Sequence, residues 1–358
     1  MSTASLIDGY IKERTAYESF TQKIEHLISE LLQERALPYY SITSRTKDCD
    51  SLNEKIDRKQ GKYKKLSEIT DLCGIRIITY YSEEVDNIAK LIEQEFIVDK
   101  INTIDKRKAI DPDRFGYVSL HYVVSFNNAR VKWSEYNKYK GYKAEIQIRT
   151  ILQHTWAEIE HDLGYKAKET IPRDIQRDFF RLAGLLELAD KEFLNIRNAL
   201  DKYTEYVHSE INNQDTDILI DDISLKIFLD TNDDIIKLDS CIAENTGHAI
   251  DPTYEEYIKA RVEELQWAGL KTIHDLEIAL KTHFDLSLYI AEKKIEFGKY
   301  SNLTKGIGLF YLCHSIVVDE GSLPKVILFL KENHMSGNAK ASAQSLISIF
   351  NEYKKNNS

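Results

Sequence analysis

The sequence predicts an α+β N-terminal part followed by an all-α C-terminal part. Three segments before residue 150 alternate apolar and polar side chains with the period of two that is typical of strands. Segments around them place apolar residues three or four positions apart, as amphipathic helices do. Beyond residue 211 only the helical pattern remains, without a fixed-period repeat. Because 358 residues suffice for two cores, we expect one domain over residues 1–210 and a helical accessory domain over residues 211–358.

The first two segments predict helices. Residues 5–36 carry a helical apolar stripe with a break near Arg14, so one or two helices are expected there. Another helix is expected to begin at Asp50 or Ser51, which are good N-caps, and to expose its basic side chains, Lys55, Arg58 and Lys59. Taken alone, this charge pattern fits a solvated surface helix as well as an anion site.

The first predicted strand closes residues 66–81, which become rich in β-branched and aromatic residues. Asp71 and Gly74 stand immediately before this strand. A carboxylate at a strand edge can face a bound cation, and a turn-forming aspartate is the open alternative. Residues 82–96 predict a helix, and the polar, basic residues 99–115 predict a mobile loop.

The second predicted strand covers residues 115–126. Tyr117, Ser119 and His121 share one of its faces, because side chains alternate along a strand. A basic loop followed by an aromatic ring and an imidazole suits a nucleotide, with cations for the phosphates and a ring for stacking on the base. The alternative is that Tyr117 and His121 simply cover a sheet face.

The third predicted strand begins at Glu145 and runs almost directly into an amphipathic helix that ends near residue 166. Glu145, Gln147 and Arg149 share one face of this strand, which is therefore a candidate edge of an active site. The next helix, residues 174–206, has an expected core face of six residues, namely Phe179, Leu182, Leu185, Leu186, Leu188 and Phe193. Further helices are expected at residues 222–228, 235–244, 254–268, 273–282, 286–297, 307–318, 324–332 and 341–354.

Charge is unevenly distributed along the chain. The net charge is −10, and residues 211–358, with 15 basic and 23 acidic side chains, contribute −8 of it. Residues 45–65 instead carry eight basic and four acidic side chains, which favours a localised anion site over a general nucleic-acid coat. No apolar run approaches the ~20 residues that span a bilayer, and the N-terminus lacks the order of a signal peptide. We therefore expect a cytoplasmic protein that does not contact membranes.

The two strand-edge carboxylates, Asp71 and Glu145, with basic groups around them, meet the requirements of metal-dependent phosphoryl transfer. Mg²⁺ takes few oxygen ligands from protein and the rest from water and phosphate. Such catalysis needs positioning and charge neutralisation more than a nucleophile on the enzyme. The chain has no GxxxxGK[ST] P-loop, kinase glycine loop or GxSxG elbow, so a different nucleotidyl- or phosphoryl-transferring fold is expected.

Five segments resemble the RelA/SpoT synthetase family in order and spacing: SRTK with Ser51 and Lys55, TDLCGIRI, FGYVSLH, EIQIRT and WAEIEHDLGYK. The resemblance covers about residues 15–205 and implies a mixed sheet flanked by helices, related to the nucleotidyltransferases. It implies transfer of the β,γ-pyrophosphate of ATP to the 3′-hydroxyl of GDP or GTP, which makes ppGpp or pppGpp. Only 44 residues precede Arg45, so a short member without the family's hydrolase domain is expected.

The resemblance implies a donor side and a metal for this site. Arg45 is similar to the arginine that stacks on adenine, and Arg76 is similar to the ATP-side arginine. Donor phosphates are implied to contact three residues, Lys47, Ser51 and Lys55. Asp71 resembles the family's magnesium ligand, and Glu145 resembles the second acidic residue, which helps to hold Mg²⁺ or accepts the 3′-hydroxyl proton.

The resemblance implies an acceptor side as well. Tyr117 resembles the tyrosine that stacks on the acceptor guanine, and the same side includes His121, Gln147 and Arg149. The loop before this tyrosine departs from the family pattern, because Asp113 and Phe115 replace a lysine and an asparagine. The candidate replacements for the lost cation are Arg114 and Lys106 to Lys108.

Two other functions stay open. One is a toxin-type synthetase that pyrophosphorylates tRNA 3′-ends or adenine nucleotides, and only this alternative calls for tRNA, near Lys132, Lys138, Lys140 and Lys143. The other is a catalytically silent nucleotide-binding regulator. For the C-terminal domain, homo-oligomerisation and a bound antitoxin or trigger protein are the partners that we consider.

Overall fold

The computed structural model of the protein describes residues 3–59, 62–105, 120–166, 172–213, 218–298, 302–333 and 338–357. The chain divides into two compact units, Met1–Asn198 and Ala199–Ser358. Each unit has its own hydrophobic core. The division observed at residue 198 and the one expected at residue 210 fall within the same helix, Arg173–Asn213.

The N-terminal unit contains a mixed sheet and flanking helices, which confirms the expected fold class. Its strands are β1 (Ser41–Thr46), β2 (Cys73–Thr79), β3 (Phe96–Val98), β4 (Ile104–Asp105), β5 (Leu120–Phe126) and β6 (Ala144–Thr150). Its helices are α1 (Thr3–Glu34), α2 (Cys49–Arg58), α3 (Ser82–Glu95), α4 (Ser134–Asn137), α5 (Ile151–Lys166) and α6 (Arg173–Asn213), and α6 continues into the other unit. Short 3-10 turns occupy Leu66–Glu68 and Arg130–Lys132.

The strand order of the sheet is β1-β2-β6-β5-β3, with β4 also paired to β5. Among the described strands of this sheet, only β2 and β6 run parallel, and the other pairs are antiparallel. A parallel pair requires a crossover, and α3 lies within the connection between these two strands. The third predicted strand and its helix are confirmed, since β6 ends at Thr150 and α5 begins at Ile151.

Helix α1 supports β1 and β2 through side chains as well as through the core. The Tyr10 hydroxyl donates to the carbonyl oxygen of Lys47 at 2.5 Å, and the Ser44 hydroxyl donates to Glu25 at 2.6 Å. The predicted break near Arg14 was wrong, because an Arg14–Glu18 ion pair of 3.1 Å spans one continuous helical turn there. The strand β1 was missed by the sequence reasoning, since SITSRT contains no alternation of apolar and polar residues.

Helix α2 packs Leu52 and Ile56 into the core. Its N-cap is Asp48, whose carboxylate accepts a hydrogen bond from the Ser51 backbone N–H at 2.7 Å, so the expectation of Asp50 or Ser51 was wrong. Of the three basic side chains expected to be exposed, Arg58 and Lys59 are exposed and Lys55 is not. Lys55 is turned inward, and only 19% of its side chain is exposed.

The described residues of the C-terminal unit form helices and two three-residue strands, and sequence reasoning missed these strands. Its helices are α7 (Asp222–Thr231), α8 (Asp233–Thr246), α9 (Glu255–Trp267), α10 (Ile273–Lys294), α11 (Ile307–Glu320), α12 (Leu323–Glu332) and α13 (Ala339–Asn356). Strands β7 (Ala249–Asp251) and β8 (Asn302–Thr304) pair in parallel. The two helices predicted over residues 273–297 form the single helix α10. None of the helices in the described ranges is long and apolar enough to span a membrane.

The expected core face of α6 was largely wrong. Four of the six expected core residues are more than half exposed, namely Leu182, Leu185, Leu188 and Phe193. The helix instead faces its own unit through Ala183, Asp190 and Arg197. The Thr150 hydroxyl donates to Asp190 at 2.7 Å, and Arg197 lies 3.4 Å from Glu84. The buried side of α6 is therefore partly polar, which a hydrophobic pattern cannot reveal.

Candidate active site

Three neighbouring strands, β1, β2 and β6, line one cleft, and β5 lies next to β6. The parallel register places Gly74 beside Glu145 and Arg76 beside Gln147. On the antiparallel side, β5 places His121 opposite Gln147. The cleft has a volume of about 180 Å³, and its lining includes Arg45, Asp71, Gly74, Arg76, Glu145 and Gln147. The alternation of side chains along the strands therefore brings these predicted residues together.

Two lysines hold the Asp71 carboxylate at one end of the cleft. The Lys47 ammonium, just after β1, lies 3.0 Å from Oδ2, and the Lys55 ammonium, on α2, lies 2.6 Å from Oδ1. Burial by itself would raise the pKa of Asp71, but the hydrogen bond from Lys55 and the charges of both lysines outweigh it. The net pKa of Asp71 is therefore below its ordinary value, and the carboxylate is ionised at neutral pH.

Arg45 lies in the cleft and Ser51 does not. Arg45 is exposed on β1, and it has no ion-pair partner in the part of the chain that the structure describes. A Cβ atom added at Gly74 would lie 3.5 Å from Cγ of Arg45, which is an ordinary van der Waals contact, so the Arg45 side chain runs directly past Gly74. Ser51 is exposed at the start of α2, where its hydroxyl donates to Asp48 at 2.9 Å.

A chain of hydrogen bonds holds Glu145. Its Oε1 lies 2.9 Å from Nδ1 of His121 and accepts from the Gln147 amide at 2.8 Å. The Gln147 carbonyl oxygen accepts in turn from Arg149. Burial would raise the pKa of Glu145, but the hydrogen bonds from His121 and Gln147 lower it below its ordinary value. The charge of Asp71 opposes this decrease, so the two carboxylates lie near enough to act on each other.

Arg149 is the buried cation of the site, with 5% of the residue exposed. Burial lowers its pKa to about 10, and the positive charge of Arg76 adds to this decrease. Arg149 still carries its charge at neutral pH, and it supplies a positive field behind Glu145 and Gln147.

The sequence reasoning missed Glu158 as a residue of this site. Glu158, on α5, forms an ion pair with Arg76, with its Oε1 3.0 Å from Nη1 of the guanidinium. Nδ1 of His154 lies 3.6 Å from the same oxygen atom. Burial lowers the pKa of His154, and the nearby Arg76 charge lowers it further. The available signal was spacing, since His154 and Glu158 are four residues apart on the helix that directly follows the site strand.

Two predicted acceptor-side residues, Tyr117 and Arg114, lie outside the described residues, as does most of the expected mobile loop. The described ranges contain no cluster of three or more His, Cys, Asp and Glu residues that could hold a metal ion. The candidate metal ligands stay the two carboxylates that line the cleft, Asp71 and Glu145.

The family comparison finds one match, which runs from residue 44 to residue 170. Its description is a region found in RelA/SpoT proteins. Residues 44–170 therefore resemble this RelA/SpoT region. This region includes β2, β5, β6 and the first helix after the site strand, so every described residue of the cleft except Thr43 falls within it.

Curated relatives resemble the RelA/SpoT region and its surroundings. GTP pyrophosphokinase YwaC of Bacillus subtilis is 26% identical over 205 residues, which cover 55% of this chain and 94% of the relative. GTP pyrophosphokinase YjbM of the same organism is 29% identical over 192 residues, or 51% of this chain and 87% of the relative. The matched part covers most of each relative and about half of this chain.

Two solved structures from Bacillus subtilis are also similar to this chain. The small alarmone synthetase 2 is 27% identical and has a TM-score of 0.45, with 53% of this chain and 98% of the other covered. The small alarmone synthetase 1 bound to its product pppGpp is 22% identical and has a TM-score of 0.46. The match covers 54% of this chain and 99% of the other.

Two carboxylates suit the magnesium ion that the RelA/SpoT family implies. Asp71 and Glu145 are both ionised, both belong to the cleft, and each acts on the other electrostatically. Mg²⁺ commonly takes one or two carboxylates from a protein and completes its octahedron with water and substrate phosphates. The absence of a larger acidic cluster is therefore compatible with such an ion.

Proposed function

We propose that the N-terminal unit is an ATP-dependent GTP/GDP pyrophosphokinase, which transfers the β,γ-pyrophosphate of ATP to the 3′-hydroxyl of GDP or GTP. The observation that carries the proposal is the separate support of two ionised carboxylates in one cleft. Lysines hold Asp71, whereas an imidazole and an amide hold Glu145. The names of the two curated relatives support the same reaction.

The donor side of the proposal uses the cations around Asp71. ATP carries its negative charge on the phosphates, and Lys47 and Lys55 supply two ammonium groups within reach of Asp71. Arg76 lies on the adjacent strand, held by Glu158, and Arg45 presents an exposed guanidinium that can stack on adenine. These groups position the triphosphate and neutralise its charge without forming a covalent bond to it.

The acceptor side of the proposal uses Glu145. The 3′-oxygen of the acceptor forms a bond to the β-phosphorus of ATP, and the bond from that phosphorus to the α,β-bridging oxygen breaks, so AMP leaves. Glu145 accepts a hydrogen bond from the 3′-hydroxyl and receives its proton as the new bond forms. His121 and Gln147 fix the Glu145 oxygen, and the positive charge of Arg149 lies behind them.

Mg²⁺ would be held by Asp71 and Glu145, and it would neutralise developing charge on the transferring pyrophosphate. The lysines on Asp71 are compatible with this role, because phosphate oxygens offer the ammonium groups an alternative anion once ATP is bound.

A direct assay with several acceptors tests the proposal. The purified full chain is incubated with Mg²⁺ and ATP labelled at the γ-phosphate, together with GDP, GTP, AMP, ADP or tRNA in separate reactions. We expect label on GDP or GTP, and a decrease of at least about 100-fold for Glu145→Gln. Label only on tRNA or on an adenine nucleotide would replace the guanine acceptor with a toxin-type reaction.

Binding without turnover would indicate a nucleotide-binding regulator instead. This outcome requires that calorimetry detects ATP binding while no acceptor becomes labelled. Equal rates for wild type and Glu145→Gln would contradict the role that we give to Glu145.

A further inference from the structure

A cavity lies between four helices of the C-terminal unit, α10, α11, α12 and α13. Its volume of about 200 Å³ is below the roughly 300–1,000 Å³ of pockets for drug-sized ligands, so it suits a molecule of about ten non-hydrogen atoms. Its wall combines aromatic and aliphatic side chains with one imidazole and one ammonium group. Among the described residues, no aspartate or glutamate lines it.

His314, on α11, places its imidazole in the wall of this cavity, although only 7% of the residue is exposed. Nδ1 lies 2.7 Å from the carbonyl oxygen of Phe310 and donates to it, because a carbonyl oxygen only accepts hydrogen bonds. Burial lowers the pKa of His314 to about 4, so the ring is neutral at neutral pH. Nε2 therefore carries a lone pair and can only accept a hydrogen bond.

Nε2 of His314 receives no hydrogen bond from the described part of the chain. The side chains around the ring are aromatic, and the ring centroids of Phe310, Phe329 and Tyr311 lie 4.3, 5.7 and 6.0 Å from the centroid of the imidazole. Buried polar atoms in folded proteins are nearly always hydrogen-bonded. Because His314 lines the cavity, the missing donor is expected to come from a molecule inside it.

Lys294, on α10, is the one charged residue among the described residues that line the cavity. The residue is exposed, so its ammonium lies at the mouth of the cavity and not in the interior. The ammonium donates to the Ser345 hydroxyl at 2.9 Å, and it has no acidic partner within the described ranges. Its positive charge also contributes to lowering the pKa of His314, so the two groups lie near enough to contact one ligand.

These groups select the kind of ligand. One ammonium matches one carboxylate, whereas a phosphate ester carries nearly two negative charges, which a single cation does not neutralise. The lone pair on Nε2 favours a ligand hydroxyl, since a hydroxyl can donate to it. The aromatic rings of Phe310 and Tyr311, together with the buried Leu330 and Leu346, favour a flat apolar body between the two polar groups.

We propose that this cavity binds a small aromatic hydroxycarboxylic acid. The carboxylate of the ligand pairs with Lys294 at the mouth, and its hydroxyl donates to Nε2 of His314 in the interior. The proposal does not rest on the catalytic function of the chain, because every residue that it uses belongs to the C-terminal unit.

Calorimetric titration of the full chain with matched probes tests both polar contacts. The probes are 2-, 3- and 4-hydroxybenzoate, together with benzoate, which lacks the hydroxyl, and phenol, which lacks the carboxylate. We expect at least one hydroxybenzoate to bind with a Kd of about 1 mM or below, and at least about tenfold more tightly than benzoate or phenol. Absence of binding by all three hydroxybenzoates, as for a cavity that holds only water, would overturn the proposal. Equal binding of benzoate would overturn it as well.

Two variants assign the contacts to their residues. Lys294→Met should weaken binding of the hydroxybenzoate at least about tenfold. Lys293→Met is the matched control, because Lys293 is the exposed neighbour that pairs with Glu352 at 2.8 Å and does not line the cavity. An equal loss of binding in the two lysine variants would contradict the role of Lys294. His314→Phe should abolish the preference for the hydroxybenzoate over benzoate.

A second measurement tests the His314 contact without a substitution in the core. In wild-type chain labelled with ¹⁵N at histidine, the Nε2 resonance of His314 should move when the hydroxybenzoate is added and stay in place when benzoate is added. Circular dichroism establishes whether His314→Phe folds, and the resonance decides the matter if it does not. An Nε2 resonance that is unchanged at saturating hydroxybenzoate would overturn the proposal.

Discussion

Lysine side chains reach Asp71 from two different elements, so removing one of them is informative. Lys55→Met removes one charge-assisted hydrogen bond from the carboxylate and one cation from the proposed phosphate path. Hydrogen bonds to charged groups contribute about 1.5–3 kcal/mol, so we expect kcat/KM for ATP to fall roughly 10- to 100-fold. Initial rates measure this, and Lys59→Met is the control, because Lys59 is exposed one turn away. An equal fall in kcat/KM for Lys55→Met and Lys59→Met would mean that the loss comes from the change in overall charge and not from the contact with Asp71.

Glu158 is expected to act as a positioning residue for Arg76. The charged groups of Arg76 and Glu158 lie 3.0 Å apart, but 53% of the Glu158 side chain is exposed, so solvent screens the attraction between them. Glu158→Gln should raise KM for ATP by up to about fivefold, with kcat nearly unchanged. The difference from wild type should shrink in about 1 M salt, where charge interactions are screened within a few ångströms. A fall in kcat without a change in KM would assign Glu158 to the chemical step instead.

The polar residues of the site were predictable where they lie on strands. Strand alternation was enough to place Glu145, Gln147 and Arg149 on one face, and their register confirms it. The pairing of Lys55 with Asp71 was not predictable, because these residues approach each other only when α2 packs on the core. The helical pattern alone placed Lys55 on the exposed side of α2, because it does not show that Asp71 lies beside the helix. The residue roles themselves remain predictions until substrates are bound.

The start of α2 provides a test of one helix alone. Asp48 accepts hydrogen bonds from the backbone and the hydroxyl of Ser51, whereas Asp50 is exposed within the first turn. Asp48→Ala should lower the free energy of unfolding, because the helix loses the side chain that caps its first turn. Asp50→Ala is the matched control and should have a smaller effect. Urea unfolding measures both, and an equal loss in the two variants would contradict the assignment of the cap.

Helix existence was easier to predict than helix limits. Helices α10 and α1 were each expected to break, and neither does. In α10 the Ser287 hydroxyl donates to the carbonyl of His283 at 2.7 Å, and Leu286 is buried, so packing and local bonding carry the helix through residues that look like a turn. The prediction for α6 failed for a different reason, since apolar periodicity does not say which face of a helix packs on the core, and Leu182, Leu185 and Phe193 are exposed.

Two buried carboxyl groups make the stability of the C-terminal unit depend on pH. Asp239 accepts hydrogen bonds from the backbone N–H groups of Gly306 and Gly308 at 2.6 and 2.7 Å. Burial raises its pKa to about 6, and these N–H groups only partly offset the increase. Burial likewise raises the pKa of Glu264 to about 7, against the opposing effect of Arg261.

Both folded-state pKa values lie above the ordinary values of 3.8 and 4.5, so the folded unit binds protons more tightly than the unfolded chain. Their stabilising contribution is complete below pH of about 4 and is lost as the pH rises through about 6 and 7. Between pH 5 and 8 this corresponds to about one pKa unit for Asp239 and about two for Glu264, so at about 1.4 kcal/mol per unit we expect the unit to lose on the order of 4 kcal/mol.

Hydrogen exchange of the full chain, resolved by unit and corrected for the intrinsic pH dependence, measures this change. Glu264→Gln should flatten the pH dependence at its alkaline end, while the N-terminal unit serves as the internal control. Stability of the C-terminal unit that rises with pH across this range would contradict the assignment.

The support that α1 gives to β1 has a consequence for dissecting the protein. The Tyr10 hydroxyl bonds to the backbone of Lys47 and Glu25 bonds to the side chain of Ser44, beside the candidate cleft, although Tyr10 and Glu25 both lie well upstream of residue 44. Residues 44–170, which match the RelA/SpoT model, therefore depend for their folding on α1, which lies before them. A fragment that begins at residue 44 would retain every described polar residue of the cleft except Thr43, but it would lack the helix α1 that supports them. Inactivity of such a fragment would therefore say nothing about the chemistry of the cleft.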